Sequence, residues 1–216
     1  MIIVETQAVA PFHKNGFVVA CARTRQGLLI DPGDEIHGLL EFISREHIAI
    51  AHILLTHAHV DHVTGVGVAK RALGAPIHLH RDDLFLYEQA VEQGLLFGLE
   101  VDPNLPPIDS FYGPGEKIPF GEFEVRPHHT PGHCPGGVCL EVARPRERGT
   151  DLFVGDTLFA GSIGRTDLPG GDYATLIGSI RSVLFPFGDE ARVYPGHGPD
   201  TTIGRERRTN PFLQAL

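Results

Sequence analysis

The segment Thr56-His57-Ala58-His59-Val60-Asp61-His62 follows directly on the apolar run His52 to Leu55, and it constrains this chain more than any other feature. Four side chains able to hold a metal fall within six residues. An extended segment points alternate side chains to one side, so His57 and His59 share a face. Asp61 and His62 fall where the chain turns into a helix and can face a second ion. One short loop can thus serve two metals. Imidazole and carboxylate donors suit zinc, iron or manganese, and the lack of a thiolate disfavours a closed structural zinc. The bland alternative is a surface loop that happens to be rich in histidine. Four ligand types packed behind a buried strand argue against it.

Three later segments have a common form: Thr130-Pro131-Gly132-His133, Val154-Gly155-Asp156 and Tyr194-Pro195-Gly196-His197. Each sets a ligand type after a strand and a glycine. Glycine lets the backbone turn sharply and approach closely, so the next side chain can project from a sheet end into a cleft. Taken singly each is an ordinary turn signal. Their agreement with the histidine loop gives them weight.

Hydrophobic patterning predicts strands over Ile2 to Val9, Gly16 to Ala22 and Leu28 to Asp31, with Lys14-Asn15-Gly16 as the first turn. A helix over Glu35 to Glu46, a strand His52 to Thr56 and a helix Val63 to Leu73 follow. Next come a strand Ile77 to His80, a helix Asp82 to Glu92, a proline-rich loop at Pro103 to Pro107, and strands Glu116 to Ile118 and Glu122 to Pro127. The last block holds strands Gly137 to Ala143 and Leu152 to Val154, an exposed turn over Arg144 to Thr150, a helix Tyr173 to Leu184 and a strand Arg192 to Tyr194. Two β-rich halves with helices suggest sheets packed together with helices outside.

The 216 residues, 42% hydrophobic and 21% charged, suit one large domain spanning 1–216. A net charge of -9 argues against a nucleic-acid partner, which needs a basic surface. No stretch approaches the roughly 18 apolar residues of a membrane span, and the amino terminus lacks a basic segment followed by a long apolar run. Cys21, Cys134 and Cys139 are an odd number without a CxxC pair, so a reducing, cytoplasmic setting is expected. Arginine outnumbers lysine 15 to 3, a bias that either a thermophilic source or base composition produces.

The histidine loop, with His133, Asp156 and His197 following in that order, resembles the ligand set of metallo-β-lactamase-fold hydrolases. The resemblance runs from the turn Leu29-Ile30-Asp31-Pro32-Gly33 to Asn210-Pro211-Phe212-Leu213. It implies a four-layer α/β-β/α sandwich and two divalent metal ions, zinc first among them. It puts His57, His59 and His133 on one ion, Asp61, His62 and His197 on the other, and Asp156 between them, so that Asp61 and Asp156 carry the catalytic centre. Two such ions activate a bridging water for attack on a carbonyl, with no Ser or Cys nucleophile. Cys134 stands on the position opposite to His133 and is not expected to be a ligand.

The run from Gly155 through Gly164-Arg165-Thr166-Asp167 to Asp172 resembles compact glyoxalase II-type proteins, the hydroxyacylglutathione hydrolases. That implies a small-molecule thioester substrate, whose thiolate leaves without a dedicated general acid. In this reading Arg165 meets a glutathione carboxylate; otherwise it is an exposed arginine in a glycine-rich loop. Longer glyoxalase II enzymes carry a separate helical C-terminal region, and this chain does not match that part, so a different thiol carrier fits as well. Asp31 reads either as the partner that orients the ligand loop or as a plain Asp-Pro-Gly turn. His78, His80, His128 and His129 read as structural or surface histidines. The rival within the resemblance is a persulfide dioxygenase, with His57, His133 and Asp156 as a two-histidine, one-carboxylate triad on a single iron.

Overall fold

The structure, a computed structural model, describes residues 1–143 and 149–214; of the turn expected over Arg144 to Thr150, residues 144–148 lie outside the described residues. The chain forms two compact units, residues 1–113 with 119–122 and residues 114–118 with 123–216. Each carries a six-stranded sheet.

The first sheet takes its strands in chain order: β1 (Ile2–Val9), β2 (Lys14–Cys21), β3 (Gln26–Ile30), β4 (Ala49–Leu54), β5 (Ile77–Leu79) and β6 (Ser110–Phe111). The first three are antiparallel, and β3 to β6 run parallel because helices carry the chain back between them. Leu28 to Ile30, Ile53 to Leu55, Ile77 and Leu79 are fully buried, the continuous apolar runs of strands covered on both faces. Helix α1 (Ile36–Arg45) buries Ile36, Leu39, Phe42 and Ile43, one face of a 3.6-residue period.

Lys14, Asn15 and Gly16 do not make the expected turn. They open β2, with Lys14 opposite Val9, and the reversal falls on residues 10–13. A lysine can start a buried strand here because its ammonium finds the Asp31 carbonyl and the Glu35 carboxylate inside the unit. Gly16 is required beside it, since any Cβ would overlap the Glu35 carboxylate.

The helix expected over Val63 to Leu73 is two helices, α2 (Val60–Val63) and α3 (Val66–Leu73). The break is at Gly65, whose N–H donates to the Pro32 carbonyl at 3.0 Å and whose missing side chain admits the Gly33 carbonyl. The turn Asp31-Pro32-Gly33 thereby seats itself against the start of α3. The helix expected over Asp82 to Glu92 is a 3-10 turn (Arg81–Asp83) followed by α4 (Leu84–Glu88) and α5 (Ala90–Phe97), which closes on left-handed Gly98.

The second sheet draws on β7 (Ile118–Phe120), β8 (Phe123–His129), β9 (Val138–Ala143), β10 (Thr150–Gly155), β13 (Arg192–Pro195) and β14 (Thr201–Thr202), ordered β14-β13-β10-β9-β8-β7. A two-strand hairpin, β11 (Leu158–Phe159) and β12 (Ser162–Ile163), follows β10. The β10–β13 pair is parallel, whereas β9–β10, β13–β14 and β8–β9 are antiparallel, so β10 and β13 end on the same side. Leu152, Val154 and Val193 pack on Leu176 of α6 (Tyr173–Ser179), on Ile180 of the wider π turn that continues it (Ile180–Leu184), and on Ile203 of α7 (Ile203–Thr209).

A buried carboxylate, Glu206 of α7, accepts from Gly161 N–H at 2.8 Å, Thr201 Oγ1 at 2.6 Å and Asn210 Nδ2 at 2.9 Å. Asn210 also donates to the Ser162 carbonyl at 2.9 Å, just before α8 (Pro211–Gln214). Among the described residues no helix is long and apolar enough to cross a membrane.

Candidate metal centre

In the first unit, β4 delivers Thr56 and the histidine loop. Asp31 has a left-handed backbone, φ 47°, and its carboxylate turns toward that loop. It accepts from Thr56 N–H at 2.7 Å, Thr56 Oγ1 at 2.6 Å and His62 Nδ1 at 3.0 Å. Thr56 spends its one hydroxyl proton on Asp31, so at 3.1 Å its oxygen accepts from His57 Nδ1. His57 and His62 are therefore both protonated on Nδ1 and present the Nε2 lone pair, the form a metal takes. A second buried carboxylate, Asp83, accepts from Ala58 N–H at 3.1 Å, so acidic groups hold the backbone on both sides of His57.

The four ring and carboxylate candidates of this loop gather tightly. The His57 ring lies 4.9 Å from that of His59 and 4.0 Å from that of His62, and Asp61 Oδ2 is 3.9 Å from His62 Nε2. All three imidazoles are buried, whereas Asp61 keeps some exposure.

In the second unit the three candidates come from separate strand ends. Gly196 N–H donates to the Gly155 carbonyl at 2.8 Å, which aligns the ends of β10 and β13 and puts Asp156 and His197 side by side, one residue beyond Gly155 and Gly196. His133 arrives on the loop before β9, where Asp172 N–H holds the Gly132 carbonyl at 2.8 Å. Gly132 has φ 128°, and a Cβ there would overlap the backbone of Leu176. Asp156 Oδ2 stands 3.6 Å from Nε2 of His133 and 3.6 Å from Nε2 of His197.

Those two spacings are too long for hydrogen bonds. His133 Nδ1 donates to the Arg165 carbonyl at 2.8 Å, and a carbonyl can only accept, so in the tautomer that a metal takes the Nε2 lone pair faces the carboxylate. Lone pair and anion repel unless a cation lies between them, and the donor set is one of nitrogen and oxygen without sulfur. Each half of the ligand set therefore fits a divalent metal on its own chemistry.

Every predicted ligand thus falls in one of two clusters: His57, His59, Asp61 and His62 in the first unit, and His133, Asp156 and His197 in the second, with Asp61, Asp156 and His197 only partly buried. Arg165 behaves in a way the sequence does not announce. Its guanidinium grips Asp167 with two bonds, at 2.8 and 2.7 Å, and this pairing holds the Asp167 carboxyl down to about 2. Its carbonyl orients His133. Gly164 admits that arrangement, since a Cβ would overlap the Asp156 carbonyl oxygen.

Asp31 is the loop-orienting partner and more than a plain turn residue. His78 meets His52 at 3.0 Å within the first unit, and His128 meets Glu141 at 2.8 Å within the second, as structural histidines do. Cys134 and Cys139 are buried free thiols, as is Cys21, and burial pushes the Cys139 thiol up. Lys14, Glu35 and Asp83 escape a sequence reading because each acts on backbone atoms, which leave no spacing pattern.

Residues 9–197 match the metallo-beta-lactamase superfamily. The chain is 40% identical over 194 residues to hydroxyacylglutathione hydrolase GloC of Haemophilus influenzae, covering 88% of this chain and 89% of that one. Among solved structures it is similar to TTHA1623 in a di-iron-bound form, with 41% identity and a TM-score of 0.84 over 97% of this chain and all (100%) of the other. It is also similar to the B3 metallo-beta-lactamase BLEG-1, at 33% identity and a TM-score of 0.84 over 99% of this chain and 100% of the other. A match over most of the chain, joined to two sheets with helices and two nitrogen-and-oxygen ligand clusters, shows that this protein belongs to the metallo-beta-lactamase superfamily of metallo-hydrolases and has its mixed α/β fold.

Proposed function

We propose that the protein is a metal-dependent thioester hydrolase of the hydroxyacylglutathione hydrolase type. In this reading the whole chain, 1–216, works as one domain. His57, His59 and His133 hold one divalent ion, Asp61, His62 and His197 hold another, and Asp156 serves both. The observation that carries the reading is the position of Asp156 Oδ2, 3.6 Å from each of two imidazole nitrogens, as a carboxylate shared by two ions requires. The likeness to GloC supports the choice of thioester.

A pair of divalent ions lowers the pKa of the water they share and polarises a carbonyl. The chain's own residues supply the rest. Asp31, through Thr56 and directly, keeps His57 and His62 in the tautomer that offers Nε2. The Arg165 carbonyl does the same for His133. A thiolate leaving group has a pKa near that of cysteine, about 8.5, and departs without a protonating residue. Arg165 meets a substrate carboxylate by exchanging it for Asp167, whose two-pronged contact has the same form. The metal is zinc or iron; the di-iron relative makes iron a full alternative. Three free cysteines suit a reducing, cytoplasmic compartment.

Metal analysis alongside a thioester panel tests this. About two ions per chain and cleavage of hydroxyacyl-glutathione support it. One iron per chain with oxygen uptake on glutathione persulfide overturns it in favour of the dioxygenase.

A further inference from the structure

A charged pair lies buried in the first unit behind the Asp31-Pro32-Gly33 turn. Lys14 and Glu35 side chains are 3% and 1% exposed and meet at 2.5 Å. Lysine and glutamate are rarely this buried, and such a pair seldom stabilises a fold over well-packed apolar residues. The other contacts of the pair converge on one turn. The Lys14 ammonium donates to the Asp31 carbonyl, and Glu35 Oε1 accepts from Gly33 N–H at 2.9 Å. Gly33 in turn packs so closely that a Cβ would overlap the Asp61 carbonyl oxygen and press on Lys14.

Asp31 needs such a hold. Its left-handed φ of 47° is an uncommon state for a residue with a side chain, and one that persists where its surroundings hold it. That conformation aims its carboxylate at Thr56 and His62. Relaxation of the turn would swing the carboxylate away, release the tautomers of His57 and His62 and shift the Asp61 backbone through Gly33. The Arg165 carbonyl, which orients His133, would be untouched.

We infer that the buried Lys14–Glu35 pair is a positioning device for the histidine loop: it clamps the Asp31–Gly33 turn from behind and thereby sets, through the Asp31 carboxylate, how firmly His57 and His62 present Nε2 to metal. This rests on the two-metal reading above. Neither residue touches metal or substrate. The pair acts through Asp31, so its effect is selective where a loss of general stability would not be.

The test is a cobalt(II) titration of the metal-free protein, followed by visible absorption and by a competing chelator, with no substrate present. Lys14→Met alone strands a buried carboxylate and risks misfolding. The variant to use is therefore Lys14→Met with Glu35→Gln, which removes both charges, leaves Gln an oxygen for Gly33 N–H and keeps the volume similar. Thermal unfolding of the metal-free double variant is measured alongside. The Nδ1–H groups of His57 and His62, seen by nitrogen-edited NMR, give a signature of the imidazoles themselves.

The expected result is two binding steps in the wild type. In the variant metal binding weakens about tenfold or more, the low end of what partners of metal ligands contribute, exchange of the His57 and His62 Nδ1 protons is faster, and the His133 imidazole, held by the Arg165 carbonyl, is unchanged. Two unchanged steps overturn the inference. Weakening with the Nδ1 exchange of His57 and His62 unchanged, in parallel with a lowered unfolding temperature, also overturns it, since that is the mark of a merely structural pair. A wild type that binds one ion fails the two-metal reading itself, a result distinct from either of these.

Discussion

The two ligand clusters are built on different plans. In the first unit four candidates share one loop, and buried carboxylates hold it: Asp31 and Asp83 grip the amides of Thr56 and Ala58. In the second unit three candidates come from three strand ends, and the partners are backbone carbonyls and glycines: Arg165 C=O for His133, Gly155 C=O for the end of β13. One cluster is held by charge, the other by the course of the chain. The first should yield to changes that remove a carboxylate, the second to changes that add volume.

The largest effect belongs to Asp156→Ala, which removes from the second cluster the carboxylate proposed to serve both ions. Bound metal and turnover should fall by well over the 10–100-fold typical of partners of ligands, with the metal-free fold retained by circular dichroism. Metal content that stays at the wild-type level would end the proposed role. Next is Gly164→Ala, a change of one methyl group. It should destabilise by about 1–3 kcal/mol in a denaturant titration, because the new Cβ overlaps the Asp156 carbonyl, and metal affinity should fall with it. A fully stable, fully loaded variant would show that volume does not govern this half.

Asp31→Asn sharpens the contrast from the other side. It keeps the shape and one oxygen but cannot accept all three donors as the carboxylate does, so metal affinity should fall 10- to 100-fold. His133 should keep its tautomer, since its partner is the Arg165 carbonyl; NMR of the imidazole nitrogens checks this.

The smallest effect is at Arg165. Arg165→Ala should raise KM for a carboxylate-bearing thioester several-fold with kcat and thermal midpoint little changed, since exposed pairs contribute little to stability. Unchanged KM would remove its proposed contact with substrate. The pair should also persist across the working pH range. The Asp167 carboxyl lies at about 2, below its unfolded value, so any stability it lends is present above about pH 4 and is lost only as pH falls through about 2. KM between pH 5 and 8 should therefore show no step from Asp167.

The contrast also explains what could be read from the chain beforehand. A contiguous run such as His57 to His62 carries its own spacing, and the strands beneath it are long and apolar. His133, Asp156 and His197 showed themselves only as repeated turns after strands; that β10 and β13 run parallel and end level is a fact of topology, which no local period encodes. The reading of Lys14-Asn15-Gly16 as a turn failed because polar residues with glycine usually mark one, and here tertiary partners override the local signal. The hairpin β11–β12 and strand β14 have two residues per strand, too few for alternation to register.

The tail of the described chain has a consequence for how this protein tolerates trimming. Glu206 and Asn210 together satisfy Gly161 N–H and the Ser162 carbonyl, which belong to the hairpin between Asp156 and Arg165. Cutting the chain before α7 would leave that donor and acceptor facing an emptied pocket, and the segment linking a proposed ligand to the residue that orients His133 would lose its tether. The last two helices are best thought of as a doorstop, far along the sequence yet set against the hairpin between Asp156 and Arg165.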